Sequence, residues 1–388
     1  MKITGIKTHL CHNAGHRYWI FTEIFTDEGI TGVSEVGMNQ EKTVVAAIDS
    51  LVEYLAGKDP RRVEDHVDKL YRTGYWTGTI RCTAISAVEM CMWDILGKSL
   101  DVPVYRLFGG PVRETIAVYA HVCPEGEGGR HERLAQGAKL MIEKGYRAVK
   151  MDPFGRDYRR GVSDPHFPSY IRETEHVPNI VIDLAVADVG AVRDAIGPEN
   201  DILVDFHGKL SPGNAIRLGK ALEPFRLVYI EDPVPPENVD SLALVSRAVG
   251  VPVCAGERLV TVYGFRDLLN KQAVAVINPD ITNAGGLSQC VKIAAMAQAN
   301  YITVAPHNPN GPLATAASAH LAACIPNFLM LERRGMVEDV ARAEEVSTRP
   351  LLMEAGQLVL PSGPGWGIDL NCEALARHGA GDTRYQPI

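Results

Sequence analysis

The stretch VDFHGKLSPG, residues 204–213, ends a short apolar run, Ile202-Leu203-Val204, with an acid and an imidazole. Alternate side chains of a strand face the same way. Read as a continuing strand, it turns Asp205 and His207 to one face and Phe206 to the other. An acid at a strand end is commonly a helix cap or a solvated loop residue, and an acid and an imidazole together raise the question of a site at that end.

Seven further runs share the pattern. They are TIAVYAHV (115–122), YRAVKMD (146–152), LVYIEDP (227–233), VPVCAGE (251–257), AVAVINPD (273–280), YITVAPHN (301–308) and FLMLERRG (328–335). Segments with apolar residues at helical spacing lie between them, such as AIRLGKALEP and LSQCVKIAAMAQAN. Eight strands alternating with helices predict an α/β fold, a modified (β/α)8 TIM-type barrel over residues 113–354. The polar stretch 152–179 is too long for a simple loop and is expected to cross the barrel mouth. Residues 1–112 read as an α+β capping domain, with alternating strands in IFTEIFTDEGITGVSEV (20–36) and a helix ending in WDILGK. The segment 355–388, with PGWGIDLN (364–371), is expected to return and complete that domain.

With 388 residues, 46% of them hydrophobic, the chain can bury a large core. Its formal net charge of −8 argues against a nucleic-acid or anionic-membrane surface. No apolar run approaches the roughly 20 residues that span a bilayer, and the N-terminus lacks a signal-peptide core. Eight scattered cysteines without a CxxC pair read as reduced thiols. The expectation is a soluble, cytoplasmic enzyme of small molecules.

The strand ends then line up. They carry Asp205 and His207, Glu231, Glu257, Asp280, His307 and Glu332. Asp205 and Glu231 are 26 residues apart, as are Glu231 and Glu257, so each step is one βα unit. Barrel active sites form at this rim. Three carboxylates with nothing basic between them repel unless a cation joins them, and oxygen donors favour Mg²⁺, then Mn²⁺. Two imidazoles from different strands flank that site, His207 beside Asp205 and His307 one strand after Asp280. One can remove a proton while the other delivers one. Glu332, followed by Arg333 and Arg334, also reads as a surface ion pair.

The ordered set VDFH, IEDP, AGE, NPD, PHN and LER, with WDILGK and GPGWGI outside the barrel, resembles the enolase superfamily, mandelate racemase subgroup, over essentially the full length. The resemblance implies Mg²⁺ on Asp205, Glu231 and Glu257, and abstraction of the proton α to a substrate carboxylate to give an enediolate. Where mandelate racemase ends its second strand with a Lys-x-Lys pair, this chain has Lys150-Met151-Asp152, so one base of a two-base racemase is missing. The Asp-x-His of the third strand is similar to the galactonate dehydratase-like acid-sugar dehydratases. That likeness implies His307, tuned by Asp280, as base, His207 as general acid for the 3-hydroxyl, and Glu332 hydrogen-bonding the enediolate. The product would be a 2-keto-3-deoxy acid. The chain also resembles mannonate dehydratase, which implies Tyr158, with Arg156, as the base instead. A racemase, epimerase or cycloisomerase, or a non-catalytic sugar-acid-binding relative, are the remaining readings. Lys150, Asp152, Trp76 and Arg17 are the candidate substrate contacts, and the family implies a homo-oligomer, dimer or octamer.

Overall fold

A computed structural model describes residues 1–13, 18–37, 40–75, 77–154, 156–157, 162–163, 177–333, 337–379 and 384–387. Arg17, Trp76, Tyr158 and Arg334 lie outside the described residues, as does the side chain of Arg156. The strands are β1 (Ile3–His12), β2 (Tyr18–Thr26), β3 (Thr31–Val36), β4 (Thr115–His121), β5 (Ala148–Met151), β6 (Arg156–Asp157), β7 (Val162–Ser163), β8 (Asp201–Asp205), β9 (Tyr229–Glu231), β10 (Val253–Ala255), β11 (Val276–Ile277), β12 (Thr303–Val304), β13 (Leu331–Arg333), β14 (Met353–Glu354), β15 (Gln357–Val359) and β16 (Arg384–Pro387). The helices begin in the cap with α1 (Glu41–Asp49), α2 (Val52–Leu55), α3 (Val63–Thr73), α4 (Thr79–Ser99) and α5 (Val104–Leu107). In the barrel follow α6 (Arg130–Glu143), α7 (Asn179–Ile196), α8 (Pro212–Leu222), α9 (Val239–Ala248), α10 (Thr261–Asn270), α11 (Leu287–Gln298), α12 (Pro312–Cys324) and α13 (Val337–Val346), and α14 (Cys372–His378) lies near the C-terminus. No helix among the described residues is long and apolar enough to cross a membrane.

All eight strand runs read from the sequence form the barrel. They pair in the order β4-β5-β8-β9-β10-β11-β12, and β13 pairs in parallel with β4. The ring closes where Val304 of β12 bridges Phe328, just before β13, through Val304 N–H to the Asn327 carbonyl and Leu329 N–H to the Val304 carbonyl, both at 2.8 Å. Inside lies a plug of Tyr119, Ala148, Leu203, Tyr229, Cys254, Val276, Ala305 and Met330, one residue from each strand or its immediate flank. Tyr119 and Tyr229 meet across the interior, hydroxyl to hydroxyl at 3.4 Å, although β5 and β8 separate their strands in the sheet. Filling a barrel by inward-facing layers is the normal solution for eight strands.

The cap sheet runs β16-β1-β2-β3, so the end of the chain pairs with its beginning. Helix α4 is buried on nearly all sides, as a helix packed on both flanks must be. Buried carboxylates fasten this cap to the barrel at helix N-termini, where unpaired N–H groups and the helix dipole favour an anion. Glu35 of β3 accepts the N–H groups of Gly311, Leu313 and Ala314 at the start of α12, at 2.5, 3.0 and 3.1 Å. Glu89 of α4 accepts those of Leu287 and Ser288 at the start of α11, at 2.9 and 2.8 Å. Asp94 takes the N–H groups of Val33 and Trp366, both at 2.9 Å, and an ion pair from Lys98 at 2.7 Å.

The return of the C-terminal segment begins later than residue 355. Residues 357–359 first add β15 antiparallel to the lower half of β4, because β5 and β13 engage only the upper half of that strand. The chain reaches the cap at Gly365, bridged to Pro103, and at Trp366, whose ring is fully buried and donates to the Val33 carbonyl at 3.0 Å.

His320 of α12 sits at this three-way junction. Its Nδ1 accepts the Tyr105 N–H at 3.1 Å and its Nε2 donates to the Trp366 carbonyl at 3.2 Å. Only the neutral ring satisfies both contacts, and burial pushes its pKa down to about 3. The unfolded chain holds an ordinary imidazole near 6.5. The stability this group provides is therefore complete above about pH 6.5 and is lost as pH falls toward 3. Urea unfolding followed from pH 7 to 4 is expected to show a steeper loss of midpoint in the wild type than in His320→Gln; parallel curves would contradict the assignment.

Candidate active site

The site grows from the plug by the period of a strand. Two residues beyond each plug residue, on the same face, stand His121, Lys150, Asp205, Glu231, Gly256, Asn278, His307 and Glu332. Seven of these eight are polar, and their strands end within three residues of them. Gly256 is the exception because its backbone has φ of 145° and a Cβ there would lie 2.8 Å from the Phe265 ring. The acid of β10 therefore comes one residue later, at Glu257.

Asp205, Glu231 and Glu257 bring one carboxylate oxygen each within 4.8 Å of one another. The sequence placed nothing basic among them, and here the structure corrects it. Lys150 Nζ lies 3.0 Å from Asp205, 2.8 Å from Glu231 and 3.5 Å from Glu332, with its side chain only 3% exposed. Burial alone would discharge this lysine, but the carboxylates of Asp205, Glu231 and Glu332 hold its pKa well above the ordinary value. One ammonium does not satisfy the cluster. Burial, and then Asp205, push the pKa of Glu231 well above the carboxylate range. Glu231 Oε2 faces Lys150 but accepts no hydrogen bond of adequate angle. Three convergent carboxylates, two of them buried and one with an orphaned oxygen on Glu231, fit a hard divalent cation.

Two imidazoles stand on opposite walls, just past β8 and just past β12, strands that are four apart in the ring. His307 Nδ1 is 2.8 Å from Asp280 Oδ2, and its Nε2 is 3.1 Å from Glu257 Oε2. Asp280 is itself held by the N–H and hydroxyl of Thr282, at 2.7 and 2.6 Å. Burial lowers the His307 pKa, but Glu257, Glu332 and Asp280 together raise it to about 10.

His207 reaches the site by a route the alternation rule did not foresee. Strand β8 stops at Asp205, and His207 lies beyond it in a left-handed conformation with φ of 50°. Its N–H bonds Asp205 Oδ1 at 2.7 Å, and the Gly208 N–H bonds the Asp232 carbonyl at 2.7 Å. That turn, rather than strand pleating, places Nε2 3.4 Å from Asp205 Oδ2. Its Nδ1 is 3.2 Å from Asp152 Oδ2. Asp152, read as a substrate contact, thus faces His207 and also Lys209, at 3.0 Å.

Glu332 is 1% exposed, which rules out the surface ion pair. Its Oε2 accepts the Asn308 N–H at 2.8 Å, and its Oε1 is paired with His121 and Lys150. Burial would raise its pKa, but Lys150, His307 and His121 hold it well below the carboxylate range. An ionised carboxylate accepts hydrogen bonds and cannot donate one to an enediolate. His121 and Asn278 were missed as site residues. Asn278 donates to Glu231 Oε1 at 2.8 Å. The missed signal was register, since both stand two residues beyond a plug residue. Arg258 pairs with Asp232 at 2.6 Å behind the cluster.

Residues 133–375 match the enolase C-terminal domain-like family, and residues 8–109 the mandelate racemase/muconate lactonizing enzyme N-terminal domain. The chain is 34% identical over 385 residues to a D-xylonate dehydratase of Haloferax volcanii, covering 97% of this chain and 89% of the relative. It is 35% identical over 381 residues to a D-galactonate dehydratase of Pectobacterium atrosepticum, covering 97% and 94%. A crystal structure of an enolase superfamily member from Salmonella Typhimurium superposes with a TM-score of 0.90 at 28% identity, covering 100% of this chain and 99% of the other.

The donor set makes a direct prediction. Titration with Mg²⁺ or Mn²⁺ is expected to raise the thermal midpoint, by the equivalent of about 2.7 kcal/mol at a hundredfold excess over Kd. Asp205→Asn should abolish that increment; a variant stabilised as much as the wild type would remove Asp205 from the ligands.

Proposed function

Because the chain belongs to the mandelate racemase/muconate lactonizing enzyme family of the enolase superfamily, we propose that it is an Mg²⁺-dependent acid-sugar dehydratase. It converts an aldonate, galactonate-like in its C2–C3 portion, to a 2-keto-3-deoxy acid. The observation that carries this reading is the pair of carboxylate-backed imidazoles, His307–Asp280 and His207–Asp152, on opposite walls of one carboxylate cluster. Asp205, Glu231 and Glu257 would hold Mg²⁺, which would supply the positive charge that makes a carboxylate's α-proton acidic enough for imidazole.

The residues then divide the work. A cation on Glu257 would offset the charge that most raises the His307 pKa; the neutral ring, its Nδ1 fixed by Asp280, would then take the C2 proton on Nε2. Lys150, held among Glu231, Asp205 and Glu332, is the hydrogen-bond donor for the negative charge that develops on the substrate carboxylate, the part the family resemblance gives to Glu332. The electron pair left at C2 forms the C2–C3 double bond as the C3–oxygen bond breaks. Hydroxide is a poor leaving group, so His207 Nε2 protonates it and it departs as water. The enol tautomerises to the keto acid. Names of relatives support this choice of reaction, since the D-xylonate and D-galactonate enzymes are dehydratases.

A screen of aldonic and aldaric acids that includes D-galactonate and D-xylonate is expected to yield a 2-keto-3-deoxy acid, with formation stopped by EDTA. In the same assay His307→Asn should slow exchange of the α-proton with solvent deuterium by about 10²–10⁴-fold. If Tyr158→Phe abolishes exchange and His307→Asn does not, the base belongs to the polar excursion and the assignment falls. Exchange without elimination in the wild type would favour an isomerase.

A further inference from the structure

We propose that Asp152 is the positioning residue of His207, holding the ring with Nδ1 turned to the second barrel strand and Nε2 turned to the reaction cavity. The proposal rests on the reading of His207 as the acid.

Each polar direction of Asp152 is already engaged by the protein. Oδ1 accepts the Phe154 N–H at 2.7 Å, and Oδ2 lies between Lys209 Nζ at 3.0 Å and His207 Nδ1 at 3.2 Å. Its carbonyl accepts Arg130 Nη2 at 3.1 Å, and Arg130 is in turn paired through Nε with the buried Asp188 at 2.5 Å. A carboxylate so committed serves as a fixed acceptor better than as a ligand for substrate.

The apolar side of the same turn reinforces the pose. Phe154 packs edge-on against Phe206 at 5.6 Å, both rings buried, and Lys209 lies over the Phe154 ring at 5.4 Å. Phe206 is the residue whose side chain points away from the site between Asp205 and His207. The turn after β5 is thus clamped to the turn after β8 by a ring pair below and an ion pair above.

His207 needs such a clamp. Its side chain is 39% exposed, so packing fixes only part of the ring. The left-handed backbone sets where the ring starts, but not how it rotates. The Asp152 contact sets the rotation. It leaves Nε2 as the nitrogen that faces the departing hydroxyl, and a proton on Nδ1 stays on the Asp152 side.

The test separates positioning from substrate contact and from mere folding. With an aldonate turned over in the screen, Asp152→Ala is expected to lower kcat for elimination by about 10–100-fold. KM and α-proton exchange should stay within about threefold, because His307 and the carboxylate cluster are untouched. A 3-deoxy-3-fluoro analogue, whose fluoride leaves with less help from an acid, should lose much less. Asp152→Asn, which retains an acceptor oxygen, should recover part of the rate. Lys209→Met should show a smaller loss of the same kind, and it serves if Asp152→Ala does not fold. Independent of any substrate, the downfield proton signal of the His207 Nδ1–H, assigned by its disappearance in His207→Asn, should vanish in Asp152→Ala. A raised KM at unchanged kcat would make Asp152 a substrate ligand and overturn the proposal, as would an equal loss of exchange and elimination or a persisting Nδ1–H signal. If His207→Asn eliminates at the wild-type rate, it is the acid assignment that fails instead.

Discussion

Everything at the barrel mouth depends on one electrostatic constraint. The plug below is apolar and closed, so the layer above it must hold charge where water does not reach. Four carboxylates, Asp205, Glu231, Glu257 and Glu332, share that layer with a single buried ammonium, Lys150. Desolvation costs several kcal/mol per ion even after relaxation, and one lysine offsets only part of it. The residual imbalance falls on Glu231, the most buried member, whose charge is disfavoured by burial and by its neighbours. A divalent cation would balance such a layer. The same imbalance raises His307, so the candidate metal ligands and the candidate base are electrically one system.

The cap is held by the same kind of interaction in a quieter form. Glu35 and Glu89 carry negative charge to the starts of α12 and α11, the helices that follow β12 and β11. Those strands deliver His307 and Asp280. Burial pushes both glutamates up to about 7, against the pull of the backbone N–H groups that bond them. Docking of the cap and placement of the base therefore share helices. A cap that shifted would move α11 and α12, and with them the dyad.

Much of this was legible in the sequence, and the physical reason is periodicity. Eight apolar runs ending in polar residues are enough to predict the barrel, and the 26-residue steps bring Asp205, Glu231 and Glu257 to one rim. What escaped was the part that depends on where a strand stops. His207 was placed by alternation, yet it sits past the strand in a left-handed turn that no pattern of apolar residues announces. Lys150 was read as a substrate contact, because a sequence does not show that two residues after Ala148 and two after Leu203 meet at one height. His121 and Asn278 were passed over for the same reason, although counting from Tyr119 and Val276 finds them. The sequence also dated the C-terminal return too early, since β15 fills a vacancy on β4 that exists only in three dimensions.

Counting from the plug also separates what is common in such a site from what is particular. The layer two residues up holds Asp205, Glu231, Lys150, Asn278, Glu332 and His307, and the third candidate ligand, Glu257, stands one residue higher. Asp280, His207 and Asp152, four up, are the remaining members of the two proposed imidazole–carboxylate pairs. At the end of β5 that outer layer carries an acid where a lysine would make a second base. A lysine at 152 would face His207 as a competing donor and compete for the same space as Lys209. An aspartate there turns the neighbouring imidazole into a directed donor. The sign of the charge at 152, on a side chain that faces His207 and Lys209, therefore favours reading this wall as one that protonates a leaving hydroxyl over one that returns a proton to carbon.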